Sequence, residues 1–204
     1  EKYFSDAQML EHFAQVGAEG GLPLLVHEMP FLSGANGTQM HSPTSLLEGL
    51  TTIPEVIALK EDAKEADITR VALKLEPRIR IIIAGRKSAF MPFRPDGARA
   101  YLNGISIIDA GIGEAFWAAY EADDQATIDY ILSELEAPFF DSSVAKYGWH
   151  RTNKALLEAT GLMSRRDRMP LKHLSDAEFA DVKADYAAVA AALERAPWAK
   201  RGAA

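Results

Sequence analysis

Residues 21–34 read GLPLLVHEMPFLSG, residues 54–62 read PEVIALKED, and the fold is decided between them. Leu24, Leu25 and Val26 form an apolar run that ends in His27 and Glu28. Val56, Ile57, Ala58 and Leu59 form a second run that ends in Lys60, Glu61 and Asp62. Between them, 42–50 has helical character, with Ser42 as the N-cap and Pro43 at the first helical position. Strand, helix, strand in this order predicts a βαβ unit with parallel strands. Both runs are nearly all apolar, as expected of strands covered on both faces. Such folds place their sites at the C-terminal ends of the strands, where His27 and Lys60 stand.

The alternation extends in both directions. Upstream, Ser5 and Gln8 form a capping box that opens an amphipathic helix over 6–15, with Gly17, Gly20 and Gly21 as its stop. The next strand covers 22–29 and Pro30 closes it. Residues 31–41, with Gly34, Asn36 and Gly37, read as a loop. Downstream come a helix over 66–75 closed by Pro77, a β-branched strand over 79–84, a fourth strand over 99–107 and a helix over 111–122. Strands then cease. Helices over 128–135, 153–162 and 175–195 follow, the last opened by a Ser175/Glu178 capping box with Phe179, Val182, Tyr186, Val189 and Leu193 along one face. Four parallel strands fit an open doubly wound sheet or part of a closed barrel equally well. A dinucleotide fingerprint is absent, because Gly111-Ile112-Gly113 lacks its third glycine.

Composition narrows the classes. The 204 residues include no cysteine, so no disulfide framework is possible. No apolar run approaches a membrane span, and no leader is visible at the Glu1 start. A net charge of −7 without a basic face argues against nucleic acid as a partner. Hydrophobic content of 48% and charged content of 25% are those of an ordinary globular domain, and a cytoplasmic location is the expectation. His41, His150 and His173 are scattered without metal-ligand spacing, so no metal is expected. Arg86, Lys87 and Ser88 follow a strand end and could meet an acidic substrate, with a solvated loop the favoured reading. Asp123-Asp124 and Arg165-Arg166 read as solvated charge, Trp149-His150-Arg151 as packing or interface, and Phe116 as core.

With these residues in place, the chain resembles the dihydrodipicolinate synthase / N-acetylneuraminate lyase family of class I aldolases. Pro30, Ser33 and Gly34 stand where that family has a Pro-x-x-Thr/Ser-Gly turn. Lys60 and Glu61 stand where it has a strand ending Gly-Ile-Lys-Glu. The stretch GARAYLNG over 97–104, KALLEATGL over 154–162 and RMPLKHLSDAEF over 168–179 are similar to its later parts. The resemblance implies an α/β fold, a (β/α)8 TIM barrel of which this chain covers only the C-terminal strands, followed by a C-terminal helical region. The expected division is 1–123 for the barrel part and 124–204 for the helices. The four earlier strands, with the family's Thr-Thr pair, are expected to lie before this stretch. A half barrel would leave an unpaired edge at each end of its sheet.

The chemistry implied is that of a Schiff-base lyase, an aldolase or dehydratase acting on a 2-keto acid or sugar acid without a cofactor. Lys60 would be the nucleophile. A lysine attacks only as the free amine, and an ordinary one, with a pKa of about 10.4, is protonated at neutral pH. Burial at a strand end meets that need. Read without the family, Lys60 is also consistent with a solvated lysine capping a strand. His27 stands where the family has its proton-relay tyrosine; an imidazole can take that role, or can merely hydrogen-bond at a strand end. The resemblance places Ser33 and Gly34 on the substrate-carboxylate side and Gly104 at the barrel mouth. Glu28 and Asp62 depart from the family's usual residues, the latter from Ala or Ser. Leu32 stands where dihydrodipicolinate synthases carry a carboxylate-binding arginine, which argues against that activity, and the turn Pro30-Phe31-Leu32-Ser33-Gly34 looks more like that of sugar-acid lyases. These departures also motivate an alternative, an inactive barrel that binds an acidic metabolite as a sensor or scaffold. The family further implies a homotetramer, with no membrane and no nucleic-acid partner.

Overall fold

A computed structural model describes residues 4–30, 41–63, 65–102 and 104–199, which form two compact units, Glu1–Leu102 and Asn103–Ala204. The first carries the sheet. Its elements are α1 (Asp6–Gly20), β1 (Leu24–Glu28), α2 (Thr44–Leu50), β2 (Val56–Glu61), α3 (Ala66–Leu73), β3 (Arg80–Ile83) and the short α4 (Lys87–Phe90). The three strands are parallel in the order β1-β2-β3. Leu59, Ile81 and Ile83 are buried on one face of this sheet. The buried residues Leu46, Leu47 and Leu50 of α2, with Ala72 and Leu73 of α3, supply further core.

Several boundaries differ from the sequence reading. The Ser5/Gln8 capping box is present, yet α1 runs past Gly17 to Gly20 and ends at Gly21 in the left-handed conformation. Gly17 does not break the helix. It lets the helix approach Glu55, whose Cβ would lie 2.7 Å from any Cβ at that position. The N-cap of α2 is Pro43 rather than Ser42, with no side-chain cap. The fourth strand over 99–107 is replaced by a single parallel bridge, Ile83 to Tyr101, closed by Ile83 N–H to Ala100 O at 3.0 Å and Leu102 N–H to Ile83 O at 2.9 Å. The backbone has turned helical by Gly104 and winds into a 3-10 turn over Ile105–Ile107, which ends any pairing.

The second unit is helical. Asp109 caps α5 (Ala110–Glu121), which buries Ile112, Phe116 and Ala119. Asp124 accepts from the N–H of Thr127 and caps α6 (Gln125–Tyr130), so it is a cap and not simply solvated charge. The helical path continues through wider π turns at Ile131–Glu136 and Phe140–Val144 to Tyr147. Pro138 lies between these wide turns, where its missing N–H would otherwise interrupt an α-helix. After Gly148, at φ 82°, come α7 (Trp149–Ala159) and α8 (Asp176–Glu194). The Ser175/Glu178 capping box opens α8, which buries Val182, Val189 and Ala192. Arg165 is not solvated charge either. It pairs with Glu158 and Asp176, donates to Leu174 O at 3.0 Å and lies over the Phe179 ring.

Candidate active site at the ends of the parallel strands

Parallel pairing sets His27 directly opposite Lys60 and Glu28 opposite Glu61, while on the other side Lys60 faces Ile82. Side chains alternate along a strand, so the His27–Lys60–Ile82 row lies on one face and the Glu28–Glu61–Ile83 row on the other. On the first face the Lys60 Nζ and His27 Nε2 atoms are 2.7 Å apart. Asp62 follows Lys60 by two positions and returns to the same side. Its Oδ2 lies 3.5 Å from Nζ and 3.4 Å from Nε2. The three side chains are 15%, 28% and 13% exposed for Lys60, His27 and Asp62, so the group is shielded but reachable.

The short N···N contact holds one proton in either of two arrangements. An ammonium on Lys60 donates to an unprotonated Nε2; a protonated Nε2 donates to the free amine. A lysine and an imidazole so placed can exchange that proton without a change of geometry.

The opposite face braces the site. The Glu61 carboxylate is buried and accepts from Ala63 N–H at 2.6 Å and from the Thr69 hydroxyl at 2.8 Å, tying the turn after β2 to α3. Burial pushes the Glu61 carboxyl above the usual carboxylate range, Thr69 and Ala63 pull the other way, and the charges of Glu28 and Asp62 add to the rise. Buried Glu28 accepts from Ser42 N–H at 2.6 Å, fixing the chain where α2 begins. Its other oxygen meets no hydrogen-bond donor among the described residues. A groove of about 270 Å³ is lined by Phe13 and Val16 of α1 and by Leu25, Val26 and His27 of β1.

Of the other residues expected at the site, Ser33 and Gly34 lie outside the described residues, as does Leu32. Gly104 belongs to the second unit, where the absence of a side chain admits Trp149; a Cβ there would lie 1.8 Å from the indole. Lys87 corrects the solvated-loop reading. It is fully buried at the start of α4, its ammonium 5.6 Å from the centre of the Tyr101 ring. Trp149 packs as expected, stacked on Phe140 at 5.6 Å. Among the described residues no three His, Asp or Glu side chains gather as a metal site would need, and no helix is long and apolar enough to cross a membrane. Sequence reasoning noted Asp62 only as a departure from a pattern. The available signal was its parity with Lys60.

The family model for the dihydrodipicolinate synthetase family matches residues 2–189. The chain belongs to this family. A curated relative, 4-hydroxy-tetrahydrodipicolinate synthase 1 of Streptomyces coelicolor, is 26% identical over 181 residues, covering 88% of this chain and 57% of the relative. Among solved structures, the chain is similar to the 4-hydroxy-tetrahydrodipicolinate synthase of Methylacidiphilum fumariolicum SolV, with a TM-score of 0.77 and 17% identity. That match covers 95% of this chain and 62% of the other. It is also similar to the N-acetylneuraminate lyase of Mycoplasma synoviae, with a TM-score of 0.65 and 18% identity, over 94% of this chain and 61% of that one. The two structural likenesses speak to fold. This dihydrodipicolinate synthetase family chain thus spans somewhat over half the length of the relatives it matches, and it presents a histidine, not a tyrosine, to its strand-end lysine.

Proposed function

We propose that the protein is a Schiff-base-forming lyase of the pyruvate-aldolase type, acting on a 2-keto acid or sugar acid. The free amine of Lys60 adds to the C2 carbonyl of the substrate. His27 gives a proton to the resulting hydroxyl, which leaves as water, and an iminium remains. The iminium draws electrons from C3. In a retro-aldol step His27 takes the proton of the C4 hydroxyl, the C3–C4 bond breaks, and its electron pair forms the enamine while an aldehyde departs. Protonation at C3 and hydrolysis then return the amine and release the keto acid. Dehydration would use the same iminium. Ser33 and Gly34 are proposed to hold the substrate carboxylate.

The observation that carries this reading is the 2.7 Å contact between Lys60 Nζ and His27 Nε2 in a shielded position. It also favours a working enzyme over a sensor that has lost its relay, because an imidazole at that distance is within reach for proton transfer. Family membership and the likeness to barrel enzymes support the rest. That remainder is a (β/α)8 barrel to which residues 1–123 contribute the C-terminal part, a helical region over 124–204, and a cytoplasmic homotetramer. The test is reductive trapping. The intact protein is incubated with pyruvate and borohydride, and its peptides are read by mass spectrometry. A pyruvate adduct on Lys60 is expected. Absence of any adduct, or one confined to other lysines, overturns the proposal.

A further inference from the structure

We infer that Asp62 is the counter-ion of the Schiff base: its carboxylate balances the positive charge that condensation fixes on the Lys60 nitrogen, and it holds Lys60 and His27 in their shared geometry. The inference rests on the reading of Lys60 given above. Three observations lead to it. Oδ2 lies nearly equidistant from the two nitrogens, 3.5 Å from Nζ and 3.4 Å from Nε2, so one carboxylate oxygen serves the cation wherever the proton sits. The carboxylate is 13% exposed, so water competes weakly for it. Its backbone is braced on both sides. Glu61 before it is gripped by Thr69, and Ala63 after it donates to the Glu61 carboxylate at 2.6 Å.

The charges around Lys60 assign this part to Asp62. The neighbour on β1 is His27, itself a proton carrier. The neighbour on β3 is Ile82, which is apolar. Glu28 and Glu61 belong to the opposite face by strand alternation. An ammonium on Lys60 can pass its proton to His27, whereas an iminium that is to draw electrons from C3 must keep its charge on the Lys60 nitrogen. When the His27 imidazolium protonates the neutral carbinolamine and water leaves, the positive charge passes from His27 to the Lys60 nitrogen, and a carboxylate within reach of both lowers the cost of carrying that charge through the step.

The test uses the intact protein with Asp62→Asn and Asp62→Ala, pyruvate as the carbonyl compound and cyanoborohydride as the trap. Circular dichroism and a melting curve establish that each variant is folded. Both variants are expected to trap pyruvate on Lys60 about ten- to a hundredfold more slowly than the parent, short of the effect of deleting an oxyanion-hole donor. Added formate should restore part of the rate to Asp62→Ala, while chloride at equal ionic strength should not. Variants that trap as fast as the parent overturn the counter-ion and leave Lys60 standing. Slow trapping that formate does not relieve overturns it in favour of a purely structural role. A parent protein that forms no adduct refutes the Schiff-base reading itself, and the counter-ion falls with it.

Discussion

Replacing His27 by Phe separates the two roles joined in the 2.7 Å contact. The phenyl ring fills nearly the same volume on β1 but carries no proton. Its structural cost is the loss of one part-buried hydrogen bond, about 0.5–1.5 kcal/mol, against a domain stability of about 5–15 kcal/mol. The variant therefore folds. Its chemical cost is larger, because a positioned acid–base group contributes about 10²–10⁴-fold, or roughly 3–5 kcal/mol of barrier. The assay needs no knowledge of the natural substrate. Pyruvate bound as an iminium loses a methyl proton to become the enamine, and in heavy water it regains a deuteron, so methyl exchange followed by proton NMR reports each cycle. The parent should exchange the methyl protons. His27→Phe should slow that exchange by about two to four orders of magnitude, while slow borohydride trapping on Lys60 persists. Exchange within a few-fold of the parent would refute the relay, and with it the argument that imidazole stands in for a phenol at this place.

Three further outcomes follow from the surrounding structure. Glu61 holds its proton more tightly in the folded protein than in the unfolded chain, so its contribution to stability is present below the ordinary carboxylate value of 4.5 and is lost as pH rises through the higher folded value. Glu61→Gln, neutral throughout and able to donate to Thr69, should gain on the parent in urea unfolding as pH rises from about 4.5 towards neutrality; parallel curves would count against it. Gly17→Ala gains about 0.5–1 kcal/mol of helix preference but drives a methyl to 2.7 Å from Glu55 Cβ. Such overpacking costs about 1–3 kcal/mol, so a net loss is expected in the unfolding midpoint. Ser175→Ala removes the capping box of α8 and should cost about 1 kcal/mol, read as a lower melting temperature.

What the sequence makes legible here is what local rules govern. The two apolar runs around residues 22–62, their polar endings and both capping boxes depend on neighbours a few residues away, and all appear in the structure. What local rules miss is decided by distant contacts. Gly17 reads as a helix stop because a glycine weakens a helix, yet Glu55, far along the chain, makes its smallness a packing requirement. Lys87 reads as solvated because lysines usually are, yet it is buried beside Tyr101. Tyr101, Leu102, Ile105 and Ile107 have strand composition, but among the described residues their pairing stops at the single bridge of Tyr101 to Ile83, and β-propensity without a ladder does not make a strand. The pairing of His27 with Lys60 falls between these cases. Each residue is legible as a strand end, whereas their meeting depends on a register that no local pattern states.

That register is what the proposed chemistry depends on. The sequence Lys60-Glu61-Asp62 places a base and two acids on consecutive residues, and strand alternation sorts them by face. Lys60 and Asp62 go to the side of His27, while Glu61 goes to the buried side, where it grips Ala63 and Thr69. A slip of one residue in β2 would reverse the sorting. Lys60 would enter the packed face, Glu61 would meet His27, and Leu59, now fully buried, would turn away from its core. A leucine forced into the space of the buried Ala58 would overpack it at a cost of about 1–3 kcal/mol, before the charge of a lysine in an apolar layer is counted. The apolar residues of β2 and β3 thus do more than hold a sheet together. By fixing which face Leu59 takes, they fix which of three adjacent ionisable groups meets the imidazole, and so whether this strand end presents an amine or an acid.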